Sequence, residues 1–160
     1  TYGTVRPGQD TLVVIDDSIV RGTTLKESII RMLSRLSPKK IIVVSSAPQI
    51  RYPDCYGIDM SKMGDFIAFR AVIALLTEKG MTDVIDTVYN KIKQLEASNE
   101  LHTLNVVREL YKPFSPEDIS DKIAQLITPD NIKIPIKNPR SAKRVMINAF
   151  LQAATALGRS

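Results

Sequence analysis

The sequence predicts an α/β protein, a parallel βαβ piece followed by a mainly helical C-terminal annex. Two apolar, β-branched runs, 11–16 and 41–44, flank a segment whose apolar residues recur at helical spacing. Strand, helix and strand within about 35 residues form a unit whose strands pair in parallel and are covered on both faces. After residue 60 the apolar pattern is almost wholly helical.

Residues 11–16, Thr-Leu-Val-Val-Ile-Asp, read as a buried strand entered from the turn residues Pro7, Gly8 and Asp10. From Thr24 to Leu36, the positions Leu25, Ile29, Met32, Leu33 and Leu36 make one helical stripe, and Ser37-Pro38 stops it. The second strand, Ile41 to Val44, runs into the breaker-rich Ser45-Ser46-Ala47-Pro48. Ser61 is placed to cap a helix that ends near Glu78 at Gly80. Its apolar residues lie nearly all round, which predicts deep packing or an interface.

Thr82 opens a helix with Val84, Ile85, Val88, Tyr89, Ile92 and Leu95 on one stripe. Another is expected from about Glu100 to Tyr111. Ser115-Pro116-Glu117-Asp118 then supplies a capping hydroxyl, a first-turn proline and acids at the positive dipole end. Ile119, Ile123, Leu126 and Ile127 face inward along that helix. Ile132, Ile134 and Ile136 alternate around Pro135, an extended edge segment, and a last helix is expected from Ser141 to Leu157.

Bulk properties narrow the class. The 160 residues are 44% hydrophobic and 24% charged, as in soluble globular domains. The longest apolar run, Ala71 to Leu76, is far short of a membrane span, and no signal-peptide pattern opens the chain. A cytoplasmic protein without a membrane partner is the expectation. The single cysteine, Cys55, excludes an internal disulfide and a four-cysteine metal site built from this chain. The net charge of +5 is a C-terminal property: residues 131–160 hold six basic side chains and no acidic one. That segment lacks interleaved aromatics apart from Phe150, so a solvated basic tail is favoured over a nucleic-acid surface.

The chemistry concentrates in Val13 to Thr24, "VVIDDSIVRGTT". A parallel strand delivers its last residues to the carboxyl edge of the sheet, where open α/β folds bind ligands. Asp16 and Asp17 arrive there, suited to vicinal sugar hydroxyls or a hard divalent cation. Val20 to Thr24 precedes a helix, so its free amides and the helix dipole favour an anion. Gly22 lets the backbone come close, while Ser18, Thr23 and Thr24 add hydroxyls. Plain helix capping explains a bare "DDS…GTT" almost equally well; the preceding apolar strand shifts the balance toward a phosphorylated sugar.

This stretch resembles the phosphoribosyl-pyrophosphate (PRPP) signature of the type I phosphoribosyltransferases. "DDSIVRGTT" is most similar to the variant carried by the amidophosphoribosyltransferase family. A second block, Ser45 to Met60, "SSAPQIRYPDCYGIDM", resembles the segment after the next strand in that family. The resemblance implies that residues 1–60 are the C-terminal half of a phosphoribosyltransferase core, with the PRPP motif at 12–24. Residues 61–160 would be a helical region packed on it. It further implies that Asp16 and Asp17 contact the ribose hydroxyls and hold Mg²⁺. Ser18, Val20, Arg21, Gly22, Thr23 and Thr24 would wrap the 5′-phosphate.

The family reaction displaces pyrophosphate from C1 of PRPP with glutamine-derived ammonia, giving 5-phosphoribosylamine in purine biosynthesis. Neither the family's cysteine-led glutaminase nor the first half of its transferase domain is in this sequence. The segment is therefore expected to be inactive alone, and the assembly to be a homo-oligomer. No catalytic residue is assigned within it. Thr1 is not read as a nucleophile, Cys55 is read as a free thiol, and His102 receives no role. Tyr2 and Arg6 fit either the end of a closing loop or a plain turn, and Arg21 either pairs with phosphate or with a neighbouring chain, or faces solvent. The competing reading is a PRPP-sensing regulator on the same fold that binds nucleic acid through the basic tail.

Overall fold

A computed structural model describes residues 3–53, 62–99, 105–134 and 136–137. Among them, strand β1 (Thr11–Asp16) pairs in parallel with β2 (Lys40–Ser45), in a register from Thr11 opposite Lys40 to Asp16 opposite Ser45. A two-residue strand β3 (Ile136–Lys137) adds in parallel to the far side of β2, giving the order β1-β2-β3. The α/β class and the edge position of the isoleucine segment are as expected. Pro135 lies outside the described residues, and Ile132 and Ile134 are half-buried short of the strand.

The covering of both faces holds for β2, where Ile41, Val43 and Val44 are buried, but fails for β1. Its side chains alternate between exposed and half-buried, with Val13 at 38% and Ile15 at 57% exposure. Leu12 and Val14 pack on the shared core, and no described element lies over the opposite face. An apolar run alone cannot say which strand ends up at the edge.

The crossover helix runs over 23–34 rather than to Leu36. Its middle, Leu25–Ile30, is wound as a π-helix, and its end, Arg31–Ser34 (α1), is α-helical. Wider π turns bring residues five apart onto one side. Leu25 and Ile30 are accordingly the buried pair, while Met32, expected on the core stripe, is 61% exposed. Ser37, at φ +50°, and the buried Pro38 end the segment as the sequence predicts. Arg6 closes the turn before β1, where its backbone N–H and guanidinium both donate to the Asp10 carboxylate. Those bonds, the backbone one foremost, hold Asp10 below the usual carboxylate range.

The annex contributes four helices among the described residues. Helix α2 (Ile67–Glu78) begins five residues later than a Ser61 cap implies, after a 3₁₀ turn at Met63–Asp65. Ser61 itself lies outside the described residues. The reason for the late start is tertiary: the Ile67 N–H donates to the Val20 carbonyl at 2.8 Å, so the turn after β1 satisfies this helix end. Ile67, Ala68, Ala71, Val72 and Leu76 are buried, and Gly80, at φ +67°, follows the C-terminal end. Deep packing is therefore the outcome for this helix.

Helix α3 (Thr82–Ala97) buries Val88 and half-buries Val84, Ile85, Ile92 and Leu95. Tyr89, expected on that stripe, is 58% exposed, with Lys93 Nζ 5.8 Å from its ring centre. The helix expected from about Glu100 is shorter in its described part: residues 106–107 form a turn, and only α4 (Arg108–Tyr111) is helical, while residues 100–104 lie outside the described residues. Helix α5 (Pro116–Ile127) starts with a complete capping box. The Asp118 N–H donates to Ser115 Oγ at 3.1 Å, and the Ser115 N–H to the Asp118 carboxylate at 3.0 Å.

One core joins the pieces: Leu25, Ile30, Ile41 and Val43 pack with α2, α5, Tyr111 and Phe114. The buried Lys122 is ion-paired with Glu78 of α2 and also donates to Gln125. No described helix is long and apolar enough to cross a membrane. Thr1, Tyr2, Cys55, His102, the helix expected at 141–157 and most of the basic tail lie outside the described residues.

Candidate functional site

β1 ends at Asp16 because the chain there leaves the ladder and turns toward the helix. The ladder to the next strand nevertheless continues one step further. The Ser46 N–H donates to the Asp16 carbonyl and the Ala47 N–H to the Asp17 carbonyl, each at 2.9 Å. Ser46 Oγ also donates to the Asp17 carbonyl at 3.1 Å. Both acidic residues are thus fixed by backbone at the carboxyl edge of the sheet.

Their side chains diverge. Asp16 is half-buried and lines a depression of about 500 Å³, while Asp17 is exposed and is not part of its wall. Each carboxylate accepts from the next amide through one oxygen, Asp16 from Asp17 N–H at 3.0 Å and Asp17 from Ser18 N–H at 2.7 Å. These local bonds orient the carboxylates and leave the second oxygen of each to other partners.

The same depression is lined by Ser18, Val20, Arg21, Gly22, Thr23 and Thr24, so every expected site residue except Asp17 meets in one concavity. The first bond of the following helix runs from the Lys26 N–H to the Gly22 carbonyl at 3.0 Å. The amides of Thr23, Thr24 and Leu25 precede it and have no acceptor within the helix. Arg21 lies 3.7 Å from Asp65 in a partly exposed ion pair at the rim of the depression. A half-buried carboxylate on one wall and helix-start amides on the other can hold a ligand bearing both hydroxyls and an anionic group.

Gly22 adopts φ +72°, and its Cα side faces protein rather than solvent. A Cβ there would meet Ile127 Cγ2 at 2.9 Å and Ile67 Cγ1 at 3.4 Å. Two annex residues therefore form the floor beneath the turn. No motif marks them, because an isoleucine on an amphipathic helix reads simply as core.

Gln49 lies in the second resembling block, Ser45 to Met60, but the sequence assigned it no role. Its Nε2 donates to the Pro116 carbonyl and to Ser120 Oγ, both at 2.7 Å, tying the loop after β2 to the start of α5. Arg51 donates to Gln49 Oε1 at 2.7 Å and lies 5.2 Å from the Tyr111 ring centre. The Tyr111 hydroxyl donates to the Arg51 carbonyl at 3.0 Å, and burial pushes its pKa up to about 12.

No protein-family model matches the chain. Among individual proteins, the amidophosphoribosyltransferase of Pasteurella multocida is 50% identical over 58 residues, 36% of this chain and 11% of that protein. The Escherichia coli amidophosphoribosyltransferase is 39% identical over 99 residues, 54% of the chain and 19% of its own length. The Saccharomyces cerevisiae amidophosphoribosyltransferase is 36% identical over 87 residues, 52% of the chain and 16% of its length. The chain thus spans less than a fifth of these relatives. The resemblance to amidophosphoribosyltransferases read from "DDSIVRGTT" and "SSAPQIRYPDCYGIDM" is borne out as a similarity that covers part of the chain and a minor part of each relative.

Proposed function

We propose that the Asp16–Thr24 turn binds the ribose 5-phosphate moiety of PRPP. In the intact protein, which we place in the cytoplasm, this turn would serve transfer of the phosphoribosyl group to glutamine-derived ammonia, a reading in keeping with its relatives' name, amidophosphoribosyltransferase. The observation that carries the reading is the shared concavity of a half-buried Asp16 and the amides at Thr23–Leu25, which have no acceptor among the described residues. A phosphate accepts from those amides and from the Thr23 and Thr24 hydroxyls, with the helix dipole favouring its charge. The Asp16 carboxylate accepts from a ribose hydroxyl, and Asp17 supplies further negative potential at the rim.

The reaction forms a bond from the ammonia nitrogen to C1 and breaks the bond from C1 to the pyrophosphate oxygen. Pyrophosphate leaves with the electron pair, and the new amine loses a proton. Positive charge develops at C1 as that bond breaks, and carboxylates nearby favour it electrostatically.

The donor set fits Mg²⁺. No group of three or more acidic, histidine or cysteine side chains converges among the described residues. Magnesium commonly takes one or two carboxylates and completes its shell from water and substrate phosphates. Asp16, which lines the depression, would hold it; Asp17, outside that wall, would add charge from the rim rather than act as a second ligand, and the ion, when bound, would offset the charge of the leaving pyrophosphate.

Titration calorimetry of the intact protein with PRPP and Mg²⁺ tests the reading. Saturable binding at one site per chain, competed by ribose 5-phosphate, is expected. Binding that ribose 5-phosphate leaves unchanged contradicts the assignment of this turn.

A further inference from the structure

We propose that Ile127 at the end of α5 and Ile67 at the start of α2 are positioning residues for the Val20–Thr24 turn. On this view the annex sets the geometry of the anion cradle from beneath. The inference rests on the ribose-phosphate reading for its ligand and on packing for its mechanics.

Among the described residues, most contacts that fix the turn come from the annex. The Ile67 N–H holds the Val20 carbonyl at 2.8 Å, the side chains of Ile67 and Ile127 close under Gly22, and Asp65 pairs with Arg21 at 3.7 Å. A further bond, Lys26 N–H to the Gly22 carbonyl, belongs to the helix that the turn starts. Both isoleucines are buried, at 3% and 2% exposure. Ile127 is itself fixed, because α5 ends one residue later with Thr128 Oγ1 donating to the Ala124 carbonyl at 2.6 Å.

Space beneath Gly22 is so limited that the backbone cannot sink toward the floor, and the Val20 bond keeps it from rising. The amides therefore stay aimed at the depression before any ligand arrives, which lowers the ordering cost of binding. An apolar floor also keeps water from competing beneath the cradle.

Hydrogen exchange in the intact protein reads this without a ligand. The Lys26 and Ile67 amides report the two bonds that anchor the turn, and the Val43 amide in β2 reports global stability. Ile127→Ala is expected to speed exchange at Lys26 and Ile67 about tenfold relative to Val43, and to raise the dissociation constant for ribose 5-phosphate about tenfold.

Ile127→Val keeps Cγ2 and should stay within about twofold of the wild type in both. Ile127→Leu removes Cγ2 at constant volume, and a threefold or larger relative acceleration is expected from about that loss of contact. It decides the matter if the alanine variant does not fold. Leu76→Ala, nine residues along α2 from Ile67, should lower stability without selective exchange at the turn. Equal effects from Leu76→Ala, or unchanged exchange in Ile127→Leu, overturn the proposal. Wild-type protein that ignores ribose 5-phosphate while showing the selective exchange removes the ligand reading and leaves the positioning role standing.

Discussion

Gly22 and Ile127 are in contact so close that no side chain fits between them: a Cβ on residue 22 would lie 2.9 Å from Ile127 Cγ2. Residue 22 also sits at φ +72°, a conformation that costs an L-residue about 1 kcal/mol or more. Gly22→Ala therefore carries two penalties, strain and overpacking. Together they are expected to destabilise the protein by about 2–4 kcal/mol. Urea unfolding of the variant checks the figure, and a loss below about 0.5 kcal/mol would mean the floor yields freely.

Asp16 and Asp17 are adjacent in sequence but unequal in position, since only Asp16 lines the depression. Asp16→Asn keeps the shape and removes the charge proposed to meet a ribose hydroxyl. Its dissociation constant for PRPP should rise about tenfold or more, the scale of a charge-assisted hydrogen bond. Asp17→Asn leaves the carbonyl that anchors Ser46 and Ala47 and should have a smaller effect on binding. Calorimetry on the two variants gives the ranking; the reverse order would move the sugar to the rim. Full turnover in both variants would remove the electrostatic role proposed for the pair.

Tyr111 links the loop after β2 to α4 and titrates at about 12 because burial disfavours its phenolate. A raised folded-state pKa contributes stability that is present below the unfolded value of 10.0 and lost as pH rises toward about 12. Wild-type protein should lose stability across that window. Tyr111→Phe should be less stable at neutral pH, lacking the bond to Arg51, yet show a flatter profile between those values. Thermal melts from pH 9 to the alkaline limit compare the slopes; parallel profiles would mean the phenol is not held neutral by the fold.

What the sequence made legible was local. The β-branched runs, the Ser37-Pro38 stop and the Ser115–Asp118 capping box each act within a few residues, so their signals survive in the chain. The Asp16–Thr24 concavity was legible for the same reason, as one contiguous turn. The π winding at Leu25–Ile30 was not, because apolar spacing is matched to α-helical turns and hides an extra residue per turn. Exposure of Val13, Ile15 and Tyr89 depends on what lies opposite them, which no periodicity records. The contacts of Ile67 and Ile127 with Gly22 join residues far apart in sequence, and only tertiary packing brings them under the turn.

The central claim is that one turn holds the phosphate of a phosphorylated ribose. Backbone amide NMR of the intact protein titrated with ribose 5-phosphate tests it most directly. Saturable shifts centred on the amides of Gly22, Thr23, Thr24 and Leu25, with smaller ones at Asp16, are the predicted result. Shifts that spare this turn while another surface responds would contradict the account.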